Sequence, residues 1–299
     1  MPATGARPAG AADEAGAAHA VRKMFDSIAP RYDLLNHLLS ANVDRLWWRR
    51  TARRFRVVLA RPEAAILDIC CGTGDLTMAL LKLRPSGARP VLAADFARGM
   101  LRLGARKFGE QALRKPGGSA RKLEAPYAVP LLADALHLPL RAESLDLIVT
   151  AFGFRNLANY EAGLKEFHRT LQPGGQLGIL EFSEPGGLVG KAYALYFRRI
   201  LPAIGRLICG KDGPYNYLPT SVGSFPPPNQ MLQMMQSAGF VDCAWQPYTF
   251  GIAGLYTAVR PYSGTRVDVS RKHVSQAVFS SRKTTFTTYR RDTLTLVPL

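Results

Sequence analysis

The stretch "ILDICCGTGDL", residues 66–76, decides how the chain is read. An apolar run of strand character ends at Asp68, the small turn "CCGTG" follows, and a helix is predicted to begin near Asp75. Gly72 and Gly74 let the backbone turn tightly and leave room for a ligand lying over it. A dinucleotide site needs G-x-G-x-x-G/A, with the pyrophosphate resting on the helix N-terminus. Here the third position of that spacing is Thr77, and Asp75 puts a carboxylate beside the place where phosphate would sit. Like charges there are unfavourable. The lysine-bearing phosphate loop spacing is absent as well. The turn therefore suits a nucleoside without phosphates, preferably one bearing positive charge.

Two further stretches extend this reading. In "VLAADF", Asp95 ends the next predicted strand, where an acid can accept both hydroxyls of a ribose. In "LLADALHLPL", Asp134 and Ala135 end a third strand and can meet an adenine edge. Any one of these acids could simply cap a helix. Three at successive strand ends, in this order, point to S-adenosylmethionine, an adenosine with a sulfonium cation and an amino-acid tail. The fold they imply is α/β: a Rossmann-like, seven-stranded class I methyltransferase sheet with helices on both faces.

The rest of the chain fits that plan. Residues 1–20 read as a flexible arm, and 21–60 as a helical cap with apolar side chains three and four apart. Short apolar runs at 65–70, 91–95, 128–133, 145–151 and 177–182 alternate with helical or loop segments, as in a mostly parallel sheet covered on both faces. Tyr160, Leu164, Phe167 and Leu171 mark a helix over 159–171, and "QPGG" after it reads as a turn. Residues 184–230 interrupt the alternation. A helix at 229–238 and strands at 241–248 and 250–259 close a domain spanning 21–260. The last 39 residues, 261–299, hold twelve Ser/Thr and little apolar periodicity, and are expected to be a disordered tail.

Composition narrows the function class. No apolar run reaches the roughly 18–20 residues of a spanning helix, and the first twenty residues resemble neither a signal nor a transit peptide, so a cytoplasmic protein is expected. Cys70, Cys71, Cys209 and Cys243 form no CxxC, and no histidine lies at ligand spacing, so no metal is expected. The net charge of +17 is spread over clusters such as "RRTARRFR" (49–56) and "FRR" (197–199). A solvated face or affinity for anionic lipid explains it as well as nucleic acid does.

The matching segments "FDSIAPRYDLLNHLLS…DRLWWRR", "LDICCGTGDLT", "AADFARGML", "ADALHLPL", "AFGFRN", "LQPGGQLGILEFSEP" and "YNYLPTSVGSFP" resemble the quinone-ring C-methyltransferases of menaquinone and ubiquinone biosynthesis, from about residue 21 to 260. "AFGFRN", "LQPGG…ILEFSEP" and "FDSIAPRYD" are the specific parts. Cys70 departs from the family's usual first glycine, and the tail has no counterpart. The resemblance implies that Thr73, Asp95, Asp134 and Ala135 contact S-adenosylmethionine, and Asp68, Gly72 and Gly74 of the turn are expected to bind it as well. Ala151 offers only its backbone. Tyr32, Arg155 and Asn156 are implied to line the acceptor site.

The acceptor implied is a polyprenyl quinol, of the demethylmenaquinol type or a benzoquinol of the ubiquinone pathway. A quinol hydroxyl, partly deprotonated, pushes electron density onto the ring carbon that attacks the methyl, which an oxidised quinone cannot do. Arg155 with Asn156 could polarise that hydroxyl or merely anchor a loop. Asp33 and His37 could close over the site or be structural, and His168 is taken as structural. The segment 184–230, with Lys191, Arg198 and Arg199 among apolar residues, could form a tunnel for the isoprenoid, rest on the bilayer, or sit in a dimer interface. Two other classes compete. A nucleic-acid methyltransferase is expected to carry an Asn/Asp-Pro-Pro-aromatic signature, which "FPPP" at 225–228 does not supply, so no nucleic-acid partner is expected. A non-catalytic subunit is expected to have an eroded turn, yet the acids and both glycines remain.

Overall fold

The computed structural model describes residues 5–8, 10–29, 42–113, 127–183, 185 and 217–262. Helix α1 (Glu14–Ile28) starts at an N-cap, Asp13, whose carboxylate accepts from the Gly16 N–H at 2.7 Å. Then follow α2 (Val43–Arg54), the single turn α3 (Arg56–Leu59), β1 (Ile66–Ile69), α4 (Asp75–Leu81), β2 (Val91–Asp95), α5 (Arg98–Leu113) and β3 (Ala128–Leu132). After these come β4 (Leu145–Ala151), α6 (Tyr160–Thr170), β5 (Leu171–Phe182), α7 (Tyr217–Gly223), α8 (Pro228–Ser237), β6 (Val241–Tyr248) and β7 (Ala253–Val259).

The seven strands form one sheet in the order β3-β2-β1-β4-β5-β7-β6. All neighbours are parallel except β7, which runs antiparallel to both β5 and β6. Strand order reverses between β1 and β4, and in open α/β sheets a ligand crevice lies at that switch, beyond the carboxyl ends of the strands. The pleat sends alternate residues to opposite faces. Ile66, Val91, Leu147 and Val149 pack under α2, α4 and α5 with Trp47, Phe55 and Leu80. Leu67, Ile69, Ile148 and Ile179 pack under α6 and α8 with Leu164, Phe167 and Met231. The α/β architecture with both faces covered is thus as the sequence predicts.

Three local expectations change. The N-terminal stretch is not a free arm: Ala6 N–H donates to Leu157 O at 2.8 Å and Arg7 Nη1 to Ala158 O at 2.7 Å, and α1 begins well before residue 20. "QPGG" is not a turn between elements. Leu171 already pairs with Leu145, and the next pairing is Leu147 with Gln176, so the Pro-Gly-Gly bulges out within β5, with Gly174 at φ +77°. Burial of Leu171 and the Arg260 guanidinium, which caps the carbonyls of His168 (3.0 Å), Arg169 (3.2 Å) and Leu171, hold the strand in place there. Finally, β7 begins at Ala253 because Thr249–Gly251 makes a 3₁₀ turn.

Among the described residues no helix is long and apolar enough to cross a membrane. Tyr32, Asp33 and His37, most of 184–230, and 263–299 lie outside the described residues.

At the opposite, amino end of the sheet, buried Arg84 gathers five backbone carbonyls: Leu59, Arg61, Pro62, Ala64 and Arg89, at 2.6–3.1 Å. It joins the approaches to β1 and β2. A lysine has a single nitrogen and no planar fork. Arg84→Lys is expected to lower unfolding stability by about 2 kcal/mol in urea titrations, since buried carbonyls lose their donors.

Candidate active site

The turn after β1 is built on two left-handed residues that flank its core. Gly72 (φ +55°) and Gly74 (φ +86°) are glycines, as that backbone prefers. Cys70 also sits at φ +56°, the conformation for which glycine is suited, so the departure noted in the sequence is tolerated at some strain. The turn is fixed to β2 by Cys71 N–H donating to Ala94 O at 2.9 Å and Gly72 N–H donating to Asp95 Oδ2 at 2.8 Å.

A cleft of about 670 Å³, open to solvent, lies over this turn at the switch point between β1 and β4. Gly72, Asp95, Asp134, Ala135, Ala151 and Asn156 all line it, so most of the residues singled out in the sequence converge. The two carboxylates stand at successive strand ends. Asp95 accepts from Gly72 N–H and, through Oδ1, from Ala97 N–H at 2.8 Å, leaving lone pairs on both oxygens for ligand hydroxyls. Burial pushes its pKa up to about 6, against the lowering pull of those N–H groups. Asp134 Oδ1 accepts from Leu136 N–H at 2.9 Å, and its side chain is partly exposed.

Other predicted residues act from behind the wall. Asp68 is fully buried beneath the turn, receives the Thr77 hydroxyl at 2.5 Å, and is pushed up to about 7 by burial. Thr73 is buried and does not line the cleft. Gly74 is packed by α5: a Cβ there would lie 2.4 Å from the Phe108 ring. Asp75 is paired with Lys107 Nζ at 3.2 Å. Arg155 does not reach the cleft either. It is buried, its Nη1 bonds Glu181 Oε2 at 2.9 Å and the Phe152 carbonyl, and its guanidinium lies 5.3 Å from the Phe182 ring. An ion pair to a fully buried acid outcompetes an open cleft for that side chain. Asn156 remains on the cleft, and its Oδ1 has no hydrogen-bond partner among the described residues. His168 packs edge-on against Phe240 at 5.1 Å, away from the cleft.

The structure adds residues the sequence reading missed. Ala18 and Phe25 bring α1 over the cleft, beside Met100 of α5. Gly99 N–H, at the start of α5, donates to Asp26 of α1 at 2.7 Å and locks the two helices together. The signal was present in "AADEAGAAHA": alanine is the best helix former, and Asp13 is a good N-cap. Phe152, directly after β4, also lines the cleft, in a left-handed backbone conformation (φ +57°) uncommon for a bulky residue. Its ring stacks on Phe182 at 4.3 Å and meets Trp47 of α2 at 5.7 Å, with Trp47 Nε1 anchored on Thr249 Oγ1 at 2.7 Å. No signal in the sequence separates this aromatic wall from ordinary core.

The donor set tests which ligand fits. Among the described residues lining the cleft there is no Lys, Arg or His, while two carboxylates face it. A phosphate would meet only negative charge, whereas a ribose diol and a cationic centre would be favoured. Among the described residues no cluster of metal-ligating side chains occurs.

The two walls touch at one point. A Cβ on Gly153 would lie 2.3 Å from Cys70 Cβ, so the side chain carried at the usual glycine position is accommodated by a glycine opposite. Gly153→Ala is expected to lower the melting temperature by several degrees. Combining it with Cys70→Gly should recover part of the loss, a coupling that thermal melts of the four proteins in the cycle measure directly.

Comparison with known proteins agrees with this geometry. A model of the ubiE/COQ5 methyltransferase family matches residues 12–260. The chain is 46% identical over 239 residues to the demethylmenaquinone methyltransferase of Thermus thermophilus, covering 80% of this chain and 100% of that one. It is 39% identical to the ubiquinone/menaquinone biosynthesis C-methyltransferase UbiE of Geobacter sulfurreducens, covering 79% and 87%. Among solved structures, the [4+2]-cyclase SpnF is similar with a TM-score of 0.58 at 16% identity, over 86% of this chain and 99% of that one. A Thermotoga maritima S-adenosylmethionine-dependent methyltransferase, a possible histamine N-methyltransferase, is similar with a TM-score of 0.51 at 14% identity, over 80% and 99%. These two establish the fold alone; the sequence matches go further, and the chain belongs to the ubiE/COQ5 methyltransferase family.

Proposed function

We propose that this enzyme C-methylates the ring of a polyprenylated quinol, demethylmenaquinol first among them, with S-adenosylmethionine as methyl donor. The observation that carries the donor assignment is the cleft's charge: two carboxylates and no cation among its described lining residues, in a chain of net charge +17. Asp95 would hold the ribose hydroxyls, and Asp134 and Ala135 would hold the adenine. The donor supplies an electrophilic methyl. The acceptor assignment is supported by the names of the relatives and by Phe152, an aromatic face at the β4 end of the same cleft.

Transfer forms a bond from the ring carbon to the methyl carbon. The electron pair of the methyl–sulfur bond stays on sulfur, and the ring carbon then gives up its proton to water in the open cleft, which restores the aromatic ring. The chain's residues align the two partners, which is the main source of acceleration in such a displacement. The acceptor ring lies against Phe152, held flat by Phe182 and Trp47 behind it. Asn156 lies on the cleft wall beside the acceptor ring, its Nδ2 donating to the Phe152 carbonyl at 3.4 Å, and Arg155 positions the wall by holding the same carbonyl.

Labelled S-adenosylmethionine with demethylmenaquinol under reductant should give labelled product, and the oxidised quinone should give none. Asp95→Ala should abolish donor binding, while Phe152→Leu should keep donor binding and raise the acceptor KM about tenfold. Turnover of neither the naphthoquinol nor the ubiquinone-pathway benzoquinol, with donor binding intact, would overturn the acceptor assignment.

Asp95 also makes donor binding depend on pH. Its folded pKa, about 6, is raised above the usual carboxylate value, so the ionised acceptor form is complete only above pH 6 and is lost as pH falls. Donor affinity measured by calorimetry should weaken as pH drops from about 7 to 5, and Asp95→Asn should flatten that dependence.

A further inference from the structure

The outer face of α2 is strongly basic. Asp44, Trp47, Trp48, Thr51 and Ala52 turn inward and are buried. Leu46, Arg49, Arg50 and Arg53, at spacings of three, four and seven, form one outward stripe, with Arg45 and Arg54 exposed beside it. Leu46 is 58% exposed. The only acid in the helix, Asp44, is buried. Against this helix lies the β6–β7 connection. Arg50 stacks its guanidinium over the Tyr248 ring at 4.3 Å, and Trp47 holds Thr249. The next residue, Phe250, is 82% exposed in a left-handed backbone (φ +56°), the most exposed large apolar side chain among the described residues.

A patch of arginines with a protruding phenylalanine matches the chemistry of a bilayer interface carrying anionic headgroups. Cations near such a surface gain Coulomb energy, and an aromatic ring inserts at the boundary between headgroup and acyl chain. Nucleic acid would use the arginines but leaves Phe250 without a role unless bases are unstacked. The placement also matters. The inner face of the same helix presents Trp47 to Phe152 and Phe182, so the stripe and the acceptor wall are separated by about one helix diameter, roughly 10 Å.

We propose that the exposed face of α2, together with Phe250, docks the enzyme on an anionic bilayer surface, setting the acceptor end of the cleft toward the membrane. The face rests on its own charge and exposure; only its purpose rests on the quinol reading.

The test is co-sedimentation of the full chain with phosphatidylcholine vesicles containing phosphatidylglycerol, and with phosphatidylcholine alone. The wild type should bind the anionic vesicles and release with added salt, as screening requires. An Arg49→Glu/Arg53→Glu double variant should bind at least about tenfold more weakly, and Phe250→Ser severalfold more weakly. Both should keep wild-type donor binding and wild-type turnover of a short-chain, water-soluble quinol. Variants that bind the vesicles as well as the wild type overturn the proposal, as does indifference of the wild type to phosphatidylglycerol. Tighter binding to tRNA than to vesicles, unaffected by Phe250→Ser, also overturns it. Docking that depends on these residues in an enzyme that methylates no quinol would support the face and remove only the acceptor assignment.

Discussion

At the switch point between β1 and β4 two backbones pass so closely that only one of them carries a side chain. Cys70 has one and Gly153 does not. Either residue alone looks incidental, but together they set the spacing of the cleft walls. Because the turn after β1 then leans on β2 through Asp95, the same contact fixes where the carboxylate stands relative to the aromatic wall. Gly163 shows a related constraint one layer away, since a Cβ there would strike Leu157, which lines the same cleft. The site is shaped as much by where side chains are missing as by which ones are present.

Much of this was legible in the sequence, for identifiable reasons. Strand ends carry signals of their own, so Asp95, Asp134 and Gly72 were found from apolar runs that stop at acids or glycines. The family resemblance pointed to Asn156, which lines the cleft. Arg155 was misplaced because sequence shows a charged residue at a strand end but not the buried Glu181 that claims it. Glu181 lies within a strand run of Leu177–Phe182, where nothing marks its partner. The N-terminal arm was misjudged because an Ala/Gly-rich stretch is compatible with both disorder and helix. Docking on Leu157 and Ala158, a contact made across most of the domain, decided between them.

Among the described residues, cations avoid the cleft: the buried Arg84 and Arg155 are held by backbone carbonyls and by Glu181. The chain carries thirty-nine Lys and Arg, yet the described lining of the cleft has none, while α2 carries five arginines on its solvent side. In the docking we propose, the charge that meets the surface is separate from the charge that selects the ligand. The fold by itself does not make that selection: the similar structure of a [4+2]-cyclase shows the same sheet under a different chemistry.

The thiol of Cys70 lines a cleft proposed to hold an electrophilic methyl group. Burial, with the carboxylates of Asp95 and Asp68 nearby, pushes its pKa well above the ordinary thiol value, and Cys71 is shifted in the same direction. Only the thiolate is a strong nucleophile. Burial, seconded by the carboxylates that favour a cationic donor, therefore keeps the neighbouring sulfur in its protonated, weakly nucleophilic form.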